Sequence, residues 1–113
     1  MVDIQTEKLG SVTVAHVSGK LSGGAEEAFA DQLTEFVSDG HARLVLDLAG
    51  LESIDSSGLS SMITIVTRAR MSGGDVALAA PNAFVSGVLA VTRLDKFFTV
   101  HESIDAACAA IGT

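Results

Sequence analysis

The residues Arg43-Leu44-Val45-Leu46-Asp47-Leu48 form a short apolar run interrupted only by Asp47 near its end. A run this short and this continuous reads as a central β-strand covered on both faces, as in parallel sheets packed by helices. The segment before it has a different period. From Ala25 to Ser38, Ala25, Phe29, Leu33 and either Phe36 or Val37 trace one apolar stripe, with Glu26, Glu27, Asp31 and Glu35 on the wet side. Glu26 and Glu27 suit the positive end of a helix dipole. Asp39-Gly40 ends this helix, and Gly40 fits a left-handed cap. Upstream, Val12 to Ser18 is rich in β-branched residues and reads as another strand. A helix of about 14 residues is long enough to connect two parallel strands. The three segments therefore predict a right-handed β-α-β unit.

Working outward, Val2, Ile4 and Thr6 alternate with Asp3, Gln5 and Glu7. That alternation predicts a half-buried strand over residues 2–8, joined to the next through Leu9-Gly10-Ser11. Gly19 closes the second strand, and Lys20 to Gly24 reads as a loop. On the other side of the central run, residues 49–56 read as a loop and a helix begins near Ser57, ending at about Met71. Its buried side is predicted as Leu59, Met62, Ile63, Val66 and Ala69 or Arg70. Ser57, Ser60, Ser61, Thr64, Thr67 and Arg68 cover the outer side. After Ser72-Gly73-Gly74 come a strand over Asp75–Ala79, a turn at Pro81, a short helix to about Val91 and a strand over Phe97–Val100. A closing helix over Glu102–Ile111 turns Ile104, Ala107, Cys108 and Ile111 inward. The expected fold is α/β: residues 1–113 as one domain with a mixed four- or five-stranded sheet and helices packed mainly on one face. Strand order does not follow from periodicity.

At 113 residues, with 48% hydrophobic and 19% charged, the chain has the length and composition of one domain with a buried core. Fourteen acidic against seven basic residues give a net charge of −7. This argues against a nucleic-acid groove, which needs clustered cations, and against a polybasic membrane patch. The single cysteine, Cys108, excludes an intrachain disulfide and fits a reducing compartment. It reads as a packing residue on the last helix. The N-terminal segment lacks the apolar core of a signal peptide, and no stretch approaches the ~20 residues of a membrane span. A soluble cytoplasmic protein is expected.

Signs of catalysis are sparse. His16, His41 and His101 fall on separate elements, with no His-Glu-x-x-His motif, and His16 reads as a surface residue. The glycines lack dinucleotide-site spacing, there is no Gly-Lys-Ser or Gly-Lys-Thr phosphate loop, and Ser56 and Ser57 sit in no nucleophile elbow. The expectation is a protein that is not an enzyme and has no metal or cofactor.

The informative segment is Leu51-Glu52-Ser53-Ile54-Asp55-Ser56-Ser57-Gly58-Leu59. Two readings fit it. Asp55 or Ser56 can cap the following helix, or the cluster is a recognition surface. Gly58 is unexpected under a pure capping reading, because glycine in a first turn is costly unless another backbone approaches closely. The outer face of the helix, with its short uncharged side chains, suits protein docking, since few charges need be desolvated.

The hexapeptide Ile54-Asp55-Ser56-Ser57-Gly58-Leu59 resembles the signature of the STAS domain, as found in bacterial anti-sigma factor antagonists. Val17-Ser18-Gly19-Lys20-Leu21, Arg43–Leu48, Gly73-Gly74 and Leu94-Asp95-Lys96-Phe97-Phe98 extend the resemblance over nearly the whole chain. It implies a partner switch. In that family an anti-sigma factor that is itself a serine kinase, carrying the ATP, phosphorylates a serine at this helix start; here that position is Ser57. The unphosphorylated antagonist binds the anti-sigma factor and frees the sigma factor, and a serine phosphatase resets the cycle. Asp55, Ser56 and Gly58 would support the site, with Asp55 either capping the helix or orienting the Ser57 hydroxyl. Ser22, Gly23, Ser57, Ser60, Ser61, Thr64 and Arg68 would contact the partner. A weak homodimer is compatible with the family.

Two positions depart from the family pattern. Ser22 stands where an aspartate often follows the leucine, and Ser60 where glycine is frequent. Both bear on how closely partner contacts copy the family's. The alternative within the family is a STAS domain without a phosphorylation cycle, either an accessory subunit of a lipid-transport ATPase or a ligand-sensing module.

Overall fold

The computed structural model describes residues 2–21, 24–38 and 43–111. Its elements are β1 (Val2–Leu9), β2 (Val12–Leu21), α1 (Ala25–Ser38), β3 (Arg43–Ile54), α2 (Ser56–Met71), β4 (Asp75–Ala79), α3 (Ala83–Val91), β5 (Thr99–His101) and α4 (Ile104–Ile111). The five strands lie in chain order, β1-β2-β3-β4-β5. β1 and β2 form an antiparallel hairpin whose turn uses Gly10 at a φ of 64°. The other three neighbouring pairs are parallel.

Sequential strand order decides where the helices go. Three crossovers of one hand, each stepping one strand in the same direction, must all pass over the same face. Phe29 and Leu33 of α1, Met62, Ile65 and Val66 of α2, and Val85 and Leu89 of α3 accordingly share one core. The sheet meets them with Ala15, Val17, Leu44, Leu46, Val76 and Leu78. The last helix has no further strand to reach and folds back over the other face. There Ala107 packs on Val12, Val14, Val45, Ala77 and Ala79, with Ile104, Cys108 and Ile111 around it. This matches the inward face predicted for α4. Burial and then Asp105 push the Cys108 thiol up, so it is a packing group rather than a ready nucleophile.

The central strand differs from expectation. Residues 49–54, read as loop, continue β3 to Ile54, and β2 likewise continues past Gly19 to Leu21. The two extensions pair with each other through Ser18↔Gly50, Gly19↔Leu51, Lys20↔Ser53 and Leu21↔Ile54, with register shifts on either side of the first two pairs. Such bulges break the alternation that marks a strand in sequence. Gly19 takes up a φ of 92° there, and a Cβ on Gly50 would lie 2.9 Å from the Ser18 Cβ. The last strand is also displaced, to Thr99–His101, because residues 92–98 form turns.

Helix α2 buries Gly58, Leu59, Ser61, Met62, Ile65, Val66 and Ala69. Ile65 therefore takes the place assigned to Ile63, which is half-buried. Ser61 is a correction as well: expected on the outer face, it is only 8% exposed. At 3.6 residues per turn it falls just inside the margin of the buried arc. Its hydroxyl donates to the Ser57 carbonyl at 3.1 Å, so its polar group is satisfied without a partner protein. The Asp39-Gly40 stop predicted for α1 lies outside the described residues.

Candidate functional site

The site begins where two parallel strands end side by side. Leu21 closes β2 and Ile54 closes β3, and the Asp55 amide donates to the Leu21 carbonyl at 3.3 Å. Asp55 has extended backbone (φ −106°, ψ −176°) and caps α2, its Oδ1 accepting from the Gly58 amide at 2.9 Å. The first intrahelical bond follows from Leu59 N–H to the Asp55 carbonyl at 3.0 Å.

Gly58 explains itself in this setting. A Cβ on it would lie 2.5 Å from the Leu21 carbonyl oxygen, 2.8 Å from Ile54 Cγ1 and 2.9 Å from Leu21 Cγ. Glycine thus lets the first turn of the helix rest on the strand ends. The approaching backbone, left unspecified by the sequence, is that of Leu21. With Gly58 facing in, Asp55, Ser56 and Ser57 are turned out and exposed.

Below this turn, Ser60, Thr64, Thr67, Arg68 and Met71 are exposed along α2. Thr64 Oγ1 donates to the Ser60 carbonyl at 3.1 Å and Thr67 Oγ1 to the Ile63 carbonyl at 2.9 Å. These hydroxyls turn back onto their own helix, so the threonines offer methyl groups outward. A shallow open depression of about 380 Å³ is lined by Ile63, Thr64, Thr67, Arg68 and Met71. Arg70 is engaged elsewhere: it pairs with Asp75 at 3.0 Å, donates to the Phe97 carbonyl at 3.1 Å and stacks 4.9 Å over the Phe97 ring.

The structure therefore gathers Asp55, Ser56, Ser57 and Gly58 at one helix start and aligns Ser60, Thr64 and Arg68 below them. Ser61 is turned away. Ser22 and Gly23 lie outside the described residues, although Leu21 just before them touches Gly58. Leu21 and Ile54 were absent from the expected site, and the one sequence signal for them was the glycine itself.

A second polar cluster was not foreseen. His16 on β2 sits between Asp47 of β3 and Glu7 of β1, with Nδ1 2.6 Å from Asp47 Oδ2 and Nε2 2.7 Å from Glu7 Oε1. The other Asp47 oxygen accepts from the Ala49 amide at 3.1 Å, at the start of the bulged part of β3. Two carboxylates at the two ring nitrogens favour the doubly protonated imidazolium. The Asp47 bond, then the Glu7 bond, raise the His16 pKa above its ordinary 6.5. The carboxylates lie on opposite sides of the ring and do not converge on a common ion. Among the described residues no group of three or more His, Cys, Asp or Glu is placed to hold a metal. No helix among them is long and apolar enough to cross a membrane.

Comparison with known proteins places this geometry. A model of the STAS domain matches residues 3–107. A Thermotoga maritima protein named as an anti-sigma factor antagonist is 37% identical over 73 residues, and the match takes in 65% of this chain and 65% of that relative's length. The Bordetella bronchiseptica protein BtrV, also named as an anti-sigma factor antagonist, is 28% identical across 95% of this chain and 92% of its own. A crystal structure of an anti-sigma factor antagonist from Thermotoga maritima superposes with a TM-score of 0.91 at 26% identity, covering 97% of this chain and 95% of that one.

Two consequences can be measured. Gly58→Ala should cost about 1–3 kcal/mol in denaturant unfolding, because its methyl collides with backbone rather than with a yielding side chain; an unchanged midpoint would show that helix and strand ends can separate freely. For His16, the raised folded-state pKa makes its stabilisation complete below about pH 6.5 and lost as pH rises through the folded value. The melting temperature should therefore fall across that window, and His16→Gln should flatten the fall. A profile identical in both proteins would remove His16 from the account.

Proposed function

We propose, from the premise that this chain belongs to the STAS domain family, that it is an anti-sigma factor antagonist whose binding is switched by phosphorylation of Ser57. The observation that carries this reading is the exposed Ser57 on the first turn of α2, set beside the capping Asp55 and a Gly58 locked against Leu21. A kinase needs an acceptor hydroxyl that it can reach without unfolding its substrate, and Ser57 meets that need. The partner is an anti-sigma factor with serine kinase activity, which brings the ATP, and a serine phosphatase restores the hydroxyl. The chain itself acts by binding rather than by catalysis, in a cytoplasmic setting.

The physics of the modification favours a switch in the complex over a switch in the fold. Phosphate adds about −1.5 to −2 charges. The N-terminal turn of a helix tolerates an anion, through its free N–H groups and dipole, so the protein stays folded. Against a partner surface shaped for a hydroxyl, however, the same group must be desolvated unpaired. A loss of about 2.8 kcal/mol lowers affinity a hundredfold, and truncated or unpaired buried charges at interfaces routinely cost this much. Asp55 is occupied as the cap, which leaves the approach to Ser57 unobstructed from that side.

Ser60, Thr64 and Arg68 continue the face beyond the acceptor. Ser61 has no place in it because it is buried. The test is paired capture from cell lysate with wild type and Ser57→Asp as baits. Wild type should retain a kinase-like anti-sigma factor and release it when ATP is added. Ser57→Asp should fold with an unchanged melting profile and retain at least about tenfold less. Equal capture by both baits of a transport ATPase subunit would overturn the switch in favour of a constitutive accessory role.

A further inference from the structure

Strand β3 outruns its neighbour. Its pairing with β4 ends at Asp47↔Ala79, while β3 itself runs on to Ile54. On the β2 side the ladder continues from Ser18↔Gly50 to Leu21↔Ile54, and no strand among the described residues covers the other edge of this tail. Leu51 is fully buried there. A buried carbonyl without a donor is costly, so the partner of this one must come from outside the sheet.

Asn82 supplies that donor. Its side-chain nitrogen donates to the Leu51 carbonyl at 2.9 Å and lies 3.5 Å from the Glu52 carbonyl oxygen. Its side-chain oxygen accepts from the Val85 amide at 2.8 Å, which is the N-cap bond of α3. Capping alone does not call for asparagine, since serine and aspartate cap as well. What they lack is the second end of the carboxamide, a donor. The path to Asn82 is constrained too. The chain leaves β4 through Ala80 at a φ of 54°, a left-handed conformation that a residue with a Cβ seldom adopts. The Ala80 amide donates to the His101 carbonyl at 2.9 Å, and Pro81 follows. Strain of this kind persists where the surrounding structure fixes it.

We propose that Asn82 is a positioning residue for the start of α2: by holding Leu51 it sets where β3 ends, and so how Ser57 is presented. The connection is short. β3 continues from Leu51 to Ile54, whose Cγ1 would lie 2.8 Å from a Cβ on Gly58. Asp55 comes next, its amide bonded to Leu21 and its carboxylate to the Gly58 amide. A shift of the β3 tail therefore moves both the seat of Gly58 and the cap, and Ser57 stands between them in the chain. The consequence for phosphate transfer rests on the reading of Ser57 as the acceptor. Transfer demands close placement of the attacking hydroxyl, and a misplacement of about 1 Å can cost about a hundredfold in rate.

Amide hydrogen exchange, followed by NMR on the free full chain, tests the positioning without any partner. Asn82→Ser keeps a capping oxygen for α3 and removes the donor to Leu51. It should speed exchange of the Asp55, Gly58 and Leu59 amides at least about tenfold, with Val85, Leu46 and Leu78 within about twofold of wild type. Asn82→Asp keeps the shape but turns an acceptor toward two carbonyls, and should give the same pattern more strongly. Unchanged exchange at the start of α2 in both variants would overturn the proposal. So would uniform acceleration across the sheet, which marks a loss of general stability alone. The second readout is phosphorylation of the chain by the ATP-loaded partner that wild type captures. Asn82→Ser should lower kcat at least about fivefold with KM little changed, because the hydroxyl is misplaced while the docking face remains; an unchanged kcat would overturn the proposal. No phosphate on wild type would instead refute Ser57 as the acceptor, and the exchange contrast would still decide the role of Asn82.

Discussion

The contact between Gly58 and the end of β2 is the constraint on which the site depends. A helix that starts directly on the ends of two parallel strands must bring its first turn against their last carbonyls. Only a residue without a Cβ allows this approach, since a Cβ here would lie 2.5 Å from the Leu21 carbonyl oxygen. The Asp55 side chain then spends its acceptor on the Gly58 amide, and the Asp55 amide spends its donor on Leu21. One short tetrapeptide is thereby held at both ends, and the two residues between cap and glycine, Ser56 and Ser57, are left exposed. The exposure of Ser57 is thus a consequence of how Gly58 is buried.

The rest of the architecture supplies the strand ends. β2 and β3 reach this edge of the sheet only because both continue past a bulge, and Asp47 braces that bulge by accepting from Ala49 while bonded to His16. The sequential order of strands sends α1, α2 and α3 to one face. α2 is supported by α1 beside it in the shared core and by Arg70 and its contacts with Asp75 and Phe97 at its far end. A helix fixed in this way can lose or gain a phosphate at one terminus without disturbing the core. Under the proposed switch the change would fall on the surface, where the Ser57 hydroxyl would give way to a group of about −1.5 to −2 charges.

Much of this was legible in the residues. The stripe Phe29-Leu33-Val37 set α1 with the observed bounds, because a helix of strong period needs no tertiary information to be seen. The strand Arg43–Leu48 and the helix start near Ser57 were visible for the same reason, and the hexapeptide Ile54–Leu59 carried the family. Other features depended on contacts that no local pattern encodes. The continuation of β3 through Gly50 to Ile54 is hidden by its bulge. Ser61 looks like an outer-face serine until the exact facing of the helix is known. Ile65 and Ile63 exchange roles by the same small rotation. His16 lies distant in sequence from Asp47, and only strand register sets them side by side.

The central claim is that the residue offered to the partner is Ser57 and no neighbouring hydroxyl. Site-resolved mass spectrometry on the chain recovered from its ATP-treated complex tests this most directly. The account predicts one phosphate, on Ser57, with Ser56 and Ser60 unmodified and Ser61 protected by burial. Phosphate on Ser56 or Ser60 instead, or release of the partner with no phosphate on the chain at all, would contradict it.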